Sequence, residues 1–163
     1  MTLPLPVIVR RSEMFQERKS PRIPNYDYST PNYYFITICT HNKECYFGTI
    51  QKLSDIGVIV RQSILELPKH YSNVSVDKFV VMPNHVHMIL VLHSGNTADL
   101  EQIIGQYKSG VTRKCRKISP NIQLWQRSFH DHIIRNQKRY EKIWMYIETN
   151  PMRWDEDCFF SKR

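Results

Sequence analysis

Two β-rich runs, VSVDKFVVM (74–82) and HVHMILVL (85–92), are separated only by Pro83 and Asn84. A connection that short cannot cross over a sheet, so the two strands must pair antiparallel as a hairpin, and the rest of the chain has to be built around it. Upstream, YYFITICT (33–40) is aromatic and β-branched and reads as a strand. Leu53, Ile56, Val60, Ile64 and Leu67 then recur at helical spacing up to Pro68. Downstream, Leu100, Ile103, Ile104, Tyr107 and Val111 mark a basic-ended helix over 99–116, weakened by Gly105 and Gly110. A segment around Leu124 to Ile134 supplies a fourth strand, and Asn136 caps a last helix that Pro151 terminates. The order β-α-β-β-α-β-α predicts an α+β fold, a ferredoxin-like split βαβ sandwich with an antiparallel sheet and an extra C-terminal helix.

At 163 residues the chain has room for one compact domain. Residues 1–30 read as a basic, Pro-rich arm, 31–155 as the folded domain and 156–163 as a C-terminal tail. Lys and Arg number 23 against 15 Asp and Glu, a formal net charge of +8, which favours a polyanionic partner and makes nucleic acid the default one. The four cysteines form no Cys-x-x-Cys pair, which argues against a zinc knuckle or a disulfide framework. The N-terminal apolar stretch precedes its arginines, the reverse of a secretory signal, and no run approaches the ~18 apolar residues of a membrane span. A cytoplasmic protein with no membrane partner is expected.

In MPNHVHMILVL, strand alternation places His85 and His87 on one face and Val86, Met88, Leu90 and Leu92 on the other. Two imidazoles so placed can chelate one metal ion, though they also suit a hydrogen-bonded strand start. On the last helix, Tyr146 and Asn150 are four residues apart and share a face, where a phenol and an amide oxygen could converge on the same ion or phosphate. Tyr146 equally fits the core beside Ile143 and Ile147, and Asn150 a helix end. For a polyanion, the candidate contacts are Lys108, Arg113, Lys114, Arg116 and Lys117 in one run without an acid, Arg127 and Arg135 around the fourth strand, and Arg22 and Tyr26 by the arm.

A strand with His-hydrophobic-His, followed far downstream by a helix with Tyr-Ile-x-x-Asn, resembles the single-tyrosine HUH transposases of small insertion sequences and the REP-associated tyrosine transposases. RKSPRIPNYDYSTPNYYFITICT, VVMPNHVHMILV, IIGQYKSGVTRK, LWQRSFHDHIIRN and YIETNP resemble segments of the REP-associated branch in the same order. The resemblance implies that 31–155 is a catalytic domain that nicks and rejoins single-stranded or hairpin DNA near REP-like palindromes. Tyr146 would be the nucleophile, forming a 5′-phosphotyrosine link, with Lys142 as a nearby cation favouring the phenolate. A divalent ion would be held by His85, His87 and Asn150; relatives imply magnesium or manganese, whereas two imidazoles alone suit manganese or zinc better. Two departures stand out: His130, where relatives carry an aromatic pair, and Asn150 in place of the Gln of the insertion-sequence enzymes. The competing readings are a non-catalytic nucleic-acid-binding module on the same fold and a replication initiator or relaxase-type nickase. The resemblance leaves open a monomer or a homodimer.

Overall fold

The structure, a computed structural model, describes residues 10, 11, 15 and 22–161. The strands are β1 (Asn32–Cys39), β2 (Val74–Met82), β3 (His85–Leu92) and β4 (His130–Ile134); the helices are α1 (Asp55–His70), α2 (Leu100–Cys115) and α3 (Gln137–Thr149). Short 3-10 segments cover His41–Lys43 and Asn150–Glu156. Most of the arm expected over 1–30 lies outside the described residues.

The four strands form one sheet in the order β2-β3-β1-β4, every neighbouring pair antiparallel. β1 and β2 flank β3 on either side, so the first βαβ unit is split by the hairpin's second strand, as the element order predicted. Registry follows from the two-residue Pro83–Asn84 turn: Met82 faces His85, and the pairing runs out to Val74 and Leu92 with one irregularity at Asp77.

Alternation decides which layer each residue enters. Ile36, Ile38, Val86, Met88, Leu90 and Leu92 pack beneath α1 and α2 in the larger core. Phe35, Ile89, Val91 and Ile134 point the other way, against Ile143, Tyr146 and Ile147 of α3. Each fully buried side chain of this size contributes about 1.5–3 kcal/mol, so α3 is fastened to the sheet by a small but continuous apolar seam. Asn136 caps α3 as expected, and Ser54 and Asp99 cap α1 and α2 likewise, each accepting a hydrogen bond from the backbone N–H three residues on. Two boundaries differ. Of the Leu124–Ile134 segment only His130–Ile134 is strand, with Trp125 adding an isolated bridge to Thr40. α1 continues past Pro68 to His70, because a proline in the last turn forfeits one terminal hydrogen bond, and the Tyr71 N–H closes the helix on Leu67 O instead.

Candidate active site

His85 and His87 lie on the α3 side of the sheet, where β1 pairs them with Cys39 and Thr37, and both are fully buried. The Nδ1 atom of His85 is 2.9 Å from Asn84 Oδ1. Asn84 turns its amide nitrogen to two carbonyls, Lys43 O at 3.1 Å and Phe159 O at 2.8 Å, so the atom facing the imidazole is the oxygen. An amide oxygen only accepts; His85 therefore carries its proton on Nδ1 and presents a lone pair at Nε2. His87 Nδ1 is 2.8 Å from Thr37 Oγ1, a hydroxyl whose oxygen accepts from the Arg11 guanidinium at 3.3 Å. The two Nε2 atoms then face each other at 3.1 Å. That edge suits two nitrogens each about 2.1 Å from one ion at close to a right angle. Burial lowers the pKa of both rings, to about 4 for His85, and keeps them in the neutral form that binds metal.

α3 ends at Thr149 and passes directly into the 3-10 segment, which places Asn150 beside the imidazoles, buried. Its Nδ2 donates to Asp157 Oδ2 at 2.8 Å, while its Oδ1 is buried without a hydrogen-bond partner. An orphaned buried oxygen is costly unless something positive satisfies it. Asp157 Oδ2 lies 3.8 Å from His85 Nε2, its side chain only 1% exposed, and one ligand atom from each of His85, His87 and Asp157 falls within 4.8 Å of the others. Two neutral imidazoles, a buried carboxylate and an unpartnered amide oxygen make a donor set that a divalent ion fits. Asp157 is a ligand candidate that sequence reasoning missed. It falls in the stretch read as a tail, and only the 3-10 turn after Asn150 brings it back. His130, flagged as a possible variation, is exposed and lies outside this group.

The Tyr146 ring sits 5.2 Å from the His87 ring and meets Phe35 edge-on at 6.1 Å. Burial raises its pKa, and the Asp157 charge adds to the rise; the positive charge of the Arg11 guanidinium opposes both. The cation at the phenol is therefore Arg11, whereas Lys142, one turn earlier on α3, is exposed. Residues 157–161 fold back over the site: the Phe159 ring is 4.7 Å from His85 and 6.1 Å from His87, its N–H donates to Asp157 Oδ1 at 2.8 Å, and Ser161 Oγ donates to Lys43 O at 2.9 Å.

The cations singled out in the sequence divide into two groups. Four of the candidate contacts are engaged inside the fold. Arg22 grips Asp131 at 2.8 Å and Glu101 at 3.1 Å and lies over the Phe129 ring, while the Tyr26 hydroxyl meets that of Tyr34 at 3.0 Å. The Lys108 ammonium donates to Gln126 O, Arg127 O and Ser128 O, and Lys114 pairs with Glu66 at 3.0 Å. The others face outward. Arg113, Arg116 and Arg127 line a cleft of about 690 Å³ between α2 and the 122–127 segment. Arg135, with Lys138, Arg139 and Lys142, lines a groove of about 590 Å³ between β4 and α3. Lys117 is exposed beyond the end of α2.

Residues 29–150 match the family described as "Transposase IS200 like". An uncharacterised protein of Haemophilus influenzae is 36% identical over 88% of this chain and 93% of its own length. A REP-associated tyrosine transposase of Escherichia coli K12 is 28% identical over 74% of this chain and 66% of its own length. Among solved structures, a REP-associated tyrosine transposase bound to a REP hairpin superposes with a TM-score of 0.58 at 21% identity, covering 81% of this chain and 73% of that one. A transposase-like protein of Deinococcus radiodurans R1 superposes with a TM-score of 0.53 at 16% identity, over 78% of this chain and 95% of that one.

Proposed function

The chain belongs to the IS200-like transposase family, and from that membership we propose that it cleaves and rejoins single-stranded or hairpin DNA, with Tyr146 as nucleophile. The observation that carries this reading is the convergence, on one buried face, of two imidazole Nε2 atoms, the Asn150 amide, the Asp157 carboxylate and the Tyr146 phenol. A module that only binds nucleic acid gains nothing from burying that combination, since each buried polar group carries a desolvation cost.

The phenol loses its proton and its oxygen attacks the scissile phosphorus. A phosphorus–oxygen bond to Tyr146 forms as the bond to the 3′-oxygen breaks, and the departing strand takes up a proton as a 3′-hydroxyl. One ester replaces another, so the same hydroxyl, or that of another strand, can reverse the step without a nucleotide cofactor. Arg11 favours the phenolate that burial disfavours. His85, His87, Asn150 and Asp157 would hold the divalent ion, magnesium or manganese. Bound there, that ion supplies neutralisation of the phosphate oxygens and stabilises charge in the transition state. For a phosphate to reach the phenol, the segment around Phe159 has to move aside, because it covers both imidazoles. Of the cations of the β4–α3 groove, Arg139 and Lys142 precede Tyr146 on α3 by about two turns and one turn of 5.4 Å, and Arg135 stands just before the helix.

The test is a denaturation-resistant adduct between the protein and labelled single-stranded DNA carrying a REP-like hairpin, formed with manganese. Tyr146→Phe should abolish the adduct while binding persists. An adduct that survives in the Phe variant, or forms equally in chelator, would overturn the assignment.

A further inference from the structure

We propose that Thr37 is the positioning residue that lets His87 become a metal ligand: its hydroxyl donates to His87 Nδ1 while the two imidazoles are bonded to each other, and turns to accept from Nδ1 when Nε2 is given over to a divalent ion. The proposal rests on the reading of His85 and His87 as ligands and deepens it, by naming what sets the tautomer of the second ring.

Thr37 lies on β1 directly opposite His87 of β3 and, two residues from Phe35, on the sheet face that α3 covers. It is only 1% exposed. A hydroxyl buried there costs free energy unless it is hydrogen-bonded, and a valine of the same shape would fill the position without that cost. Its partners are the Arg11 guanidinium at 3.3 Å and His87 Nδ1 at 2.8 Å.

The direction of each bond follows from the two ends. A guanidinium only donates, so Thr37 Oγ1 accepts from Arg11. Asn84 Oδ1 only accepts, so His85 carries its proton on Nδ1 and none on Nε2. His87 Nε2 stands 3.1 Å from that bare nitrogen. Two lone pairs at such a separation repel, so the hydrogen between the rings belongs to His87 Nε2. Burial keeps His87 neutral, with one ring proton, which leaves its Nδ1 bare to accept from the Thr37 hydroxyl. Arg11, Thr37, His87, His85 and Asn84 thus form one directed chain, each donating to the next.

Ligation by both Nε2 atoms differs from this arrangement in the place of one proton. His85 already has the ligating tautomer, and His87 needs its proton on Nδ1. One proton leaves Nε2 and one arrives at Nδ1, so the charge of the ring does not change. The hydroxyl keeps its own hydrogen, rotates it away and offers Nδ1–H the second lone pair of Oγ1, the first still holding Arg11. A group that both donates and accepts serves the two forms, whereas the amide oxygen of Asn84 holds His85 in one. The pair therefore combines a fixed ligand with an adjustable one.

The experiment reads the rings directly, in two-bond nitrogen–proton correlation spectra of nitrogen-15-labelled protein, treated with chelator and then titrated with zinc alone as a diamagnetic probe. Before zinc, wild type and Thr37→Ser should show His87 protonated at Nε2 and His85 at Nδ1; zinc should move the His87 proton to Nδ1. Thr37→Val offers that proton no acceptor, so its zinc affinity should fall about 10- to 100-fold, with Thr37→Ser close to wild type. The wild-type spectra need no substitution, so they test the chain even where Thr37→Val is unstable. His87 protonated at Nδ1 before zinc is added overturns the direction of the chain. Zinc bound by Thr37→Val as tightly as by wild type, or lost equally by the valine and serine variants, overturns the positioning role. If wild type shows the Nε2–H form and binds no zinc, the ligand reading fails and the reversal with it, while the direction of the chain is upheld.

Discussion

Replacing Asn84 by alanine tests how the metal ligands are prepared. The substitution removes the oxygen that accepts the His85 Nδ1 proton at 2.9 Å, inside a site where His85 is fully buried. A buried donor left without an acceptor costs about 1–3 kcal/mol, and the ring can recover part of that by moving its proton to Nε2, the atom the ion needs. Loss of a partner behind a ligating histidine typically lowers metal affinity about 10- to 100-fold, which is about 1.4–2.8 kcal/mol and agrees with the unpaired-donor cost. The same substitution strips donors from Lys43 O and Phe159 O, so stability also falls, and affinity has to be read separately. Calorimetric titration of the metal-free protein with manganese, at a temperature where every variant is folded, should give an Asn84→Ala affinity 10- to 100-fold weaker than wild type. Asn84→Asp retains an acceptor for the Nδ1 proton but loses both donated bonds, and should hold wild-type affinity while melting lower. If Asn84→Ala binds manganese as wild type does, or if both variants lose affinity equally, the residue is a structural strut and the tautomer argument fails.

Two further predictions concern packing and thiols. A Cβ on Gly57 would stand 2.3 Å from Phe47 O, whereas one on Gly105 of α2 would meet nothing within 4 Å. Gly57→Ala should therefore destabilise by about 1–3 kcal/mol and Gly105→Ala stabilise by about 0.5–1 kcal/mol in denaturant titrations; equal effects would contradict the close approach of α1 to the Phe47 segment. Burial pushes Cys39 up to about 12 and Cys115 up to about 11, so both stay protonated in the fold at pH 8 and far less so once unfolded. Mass-spectrometric alkylation should label them no faster than the protein opens globally, and rapid native labelling of Cys39 would show that the β1 end is not closed.

The fold was legible because its strongest signals are local. A two-residue turn between apolar strands leaves one pairing, and alternation along HVHMILVL assigns His85 and His87 to the layer that α3 covers. Tyr146 and Asn150 followed from helical spacing and the resemblance. The missing residues belong to long-range geometry. Asp157 joins the ligands only because the 3-10 segment after Asn150 turns the chain back toward His85. Arg11 reaches Thr37 across 26 positions and Arg22 reaches Asp131 across 109, separations that no periodicity reports. Charge counting also treats every cation alike. Lys108 and Arg113 stand in one run and line the same cleft, yet Lys108 donates to the carbonyls of the 126–128 loop while Arg113 is exposed and has no ion-pair partner among the described residues.

Burial sets the two halves of the site against each other. Excluding water holds His85 and His87 neutral, which ligation requires, and the same exclusion raises the Tyr146 phenol, which attack opposes. That rise adds to the cost of forming the phenolate, so a buried nucleophile needs an offsetting positive charge nearby. Arg11 meets that need and also donates to the Thr37 hydroxyl beside His87 Nδ1. One guanidinium thus acts by its charge on the nucleophile and by a hydrogen bond on the support of a ligand. Its removal should weaken phenolate formation and ligand alignment together, an effect that an isolated surface charge such as Lys142 could not produce.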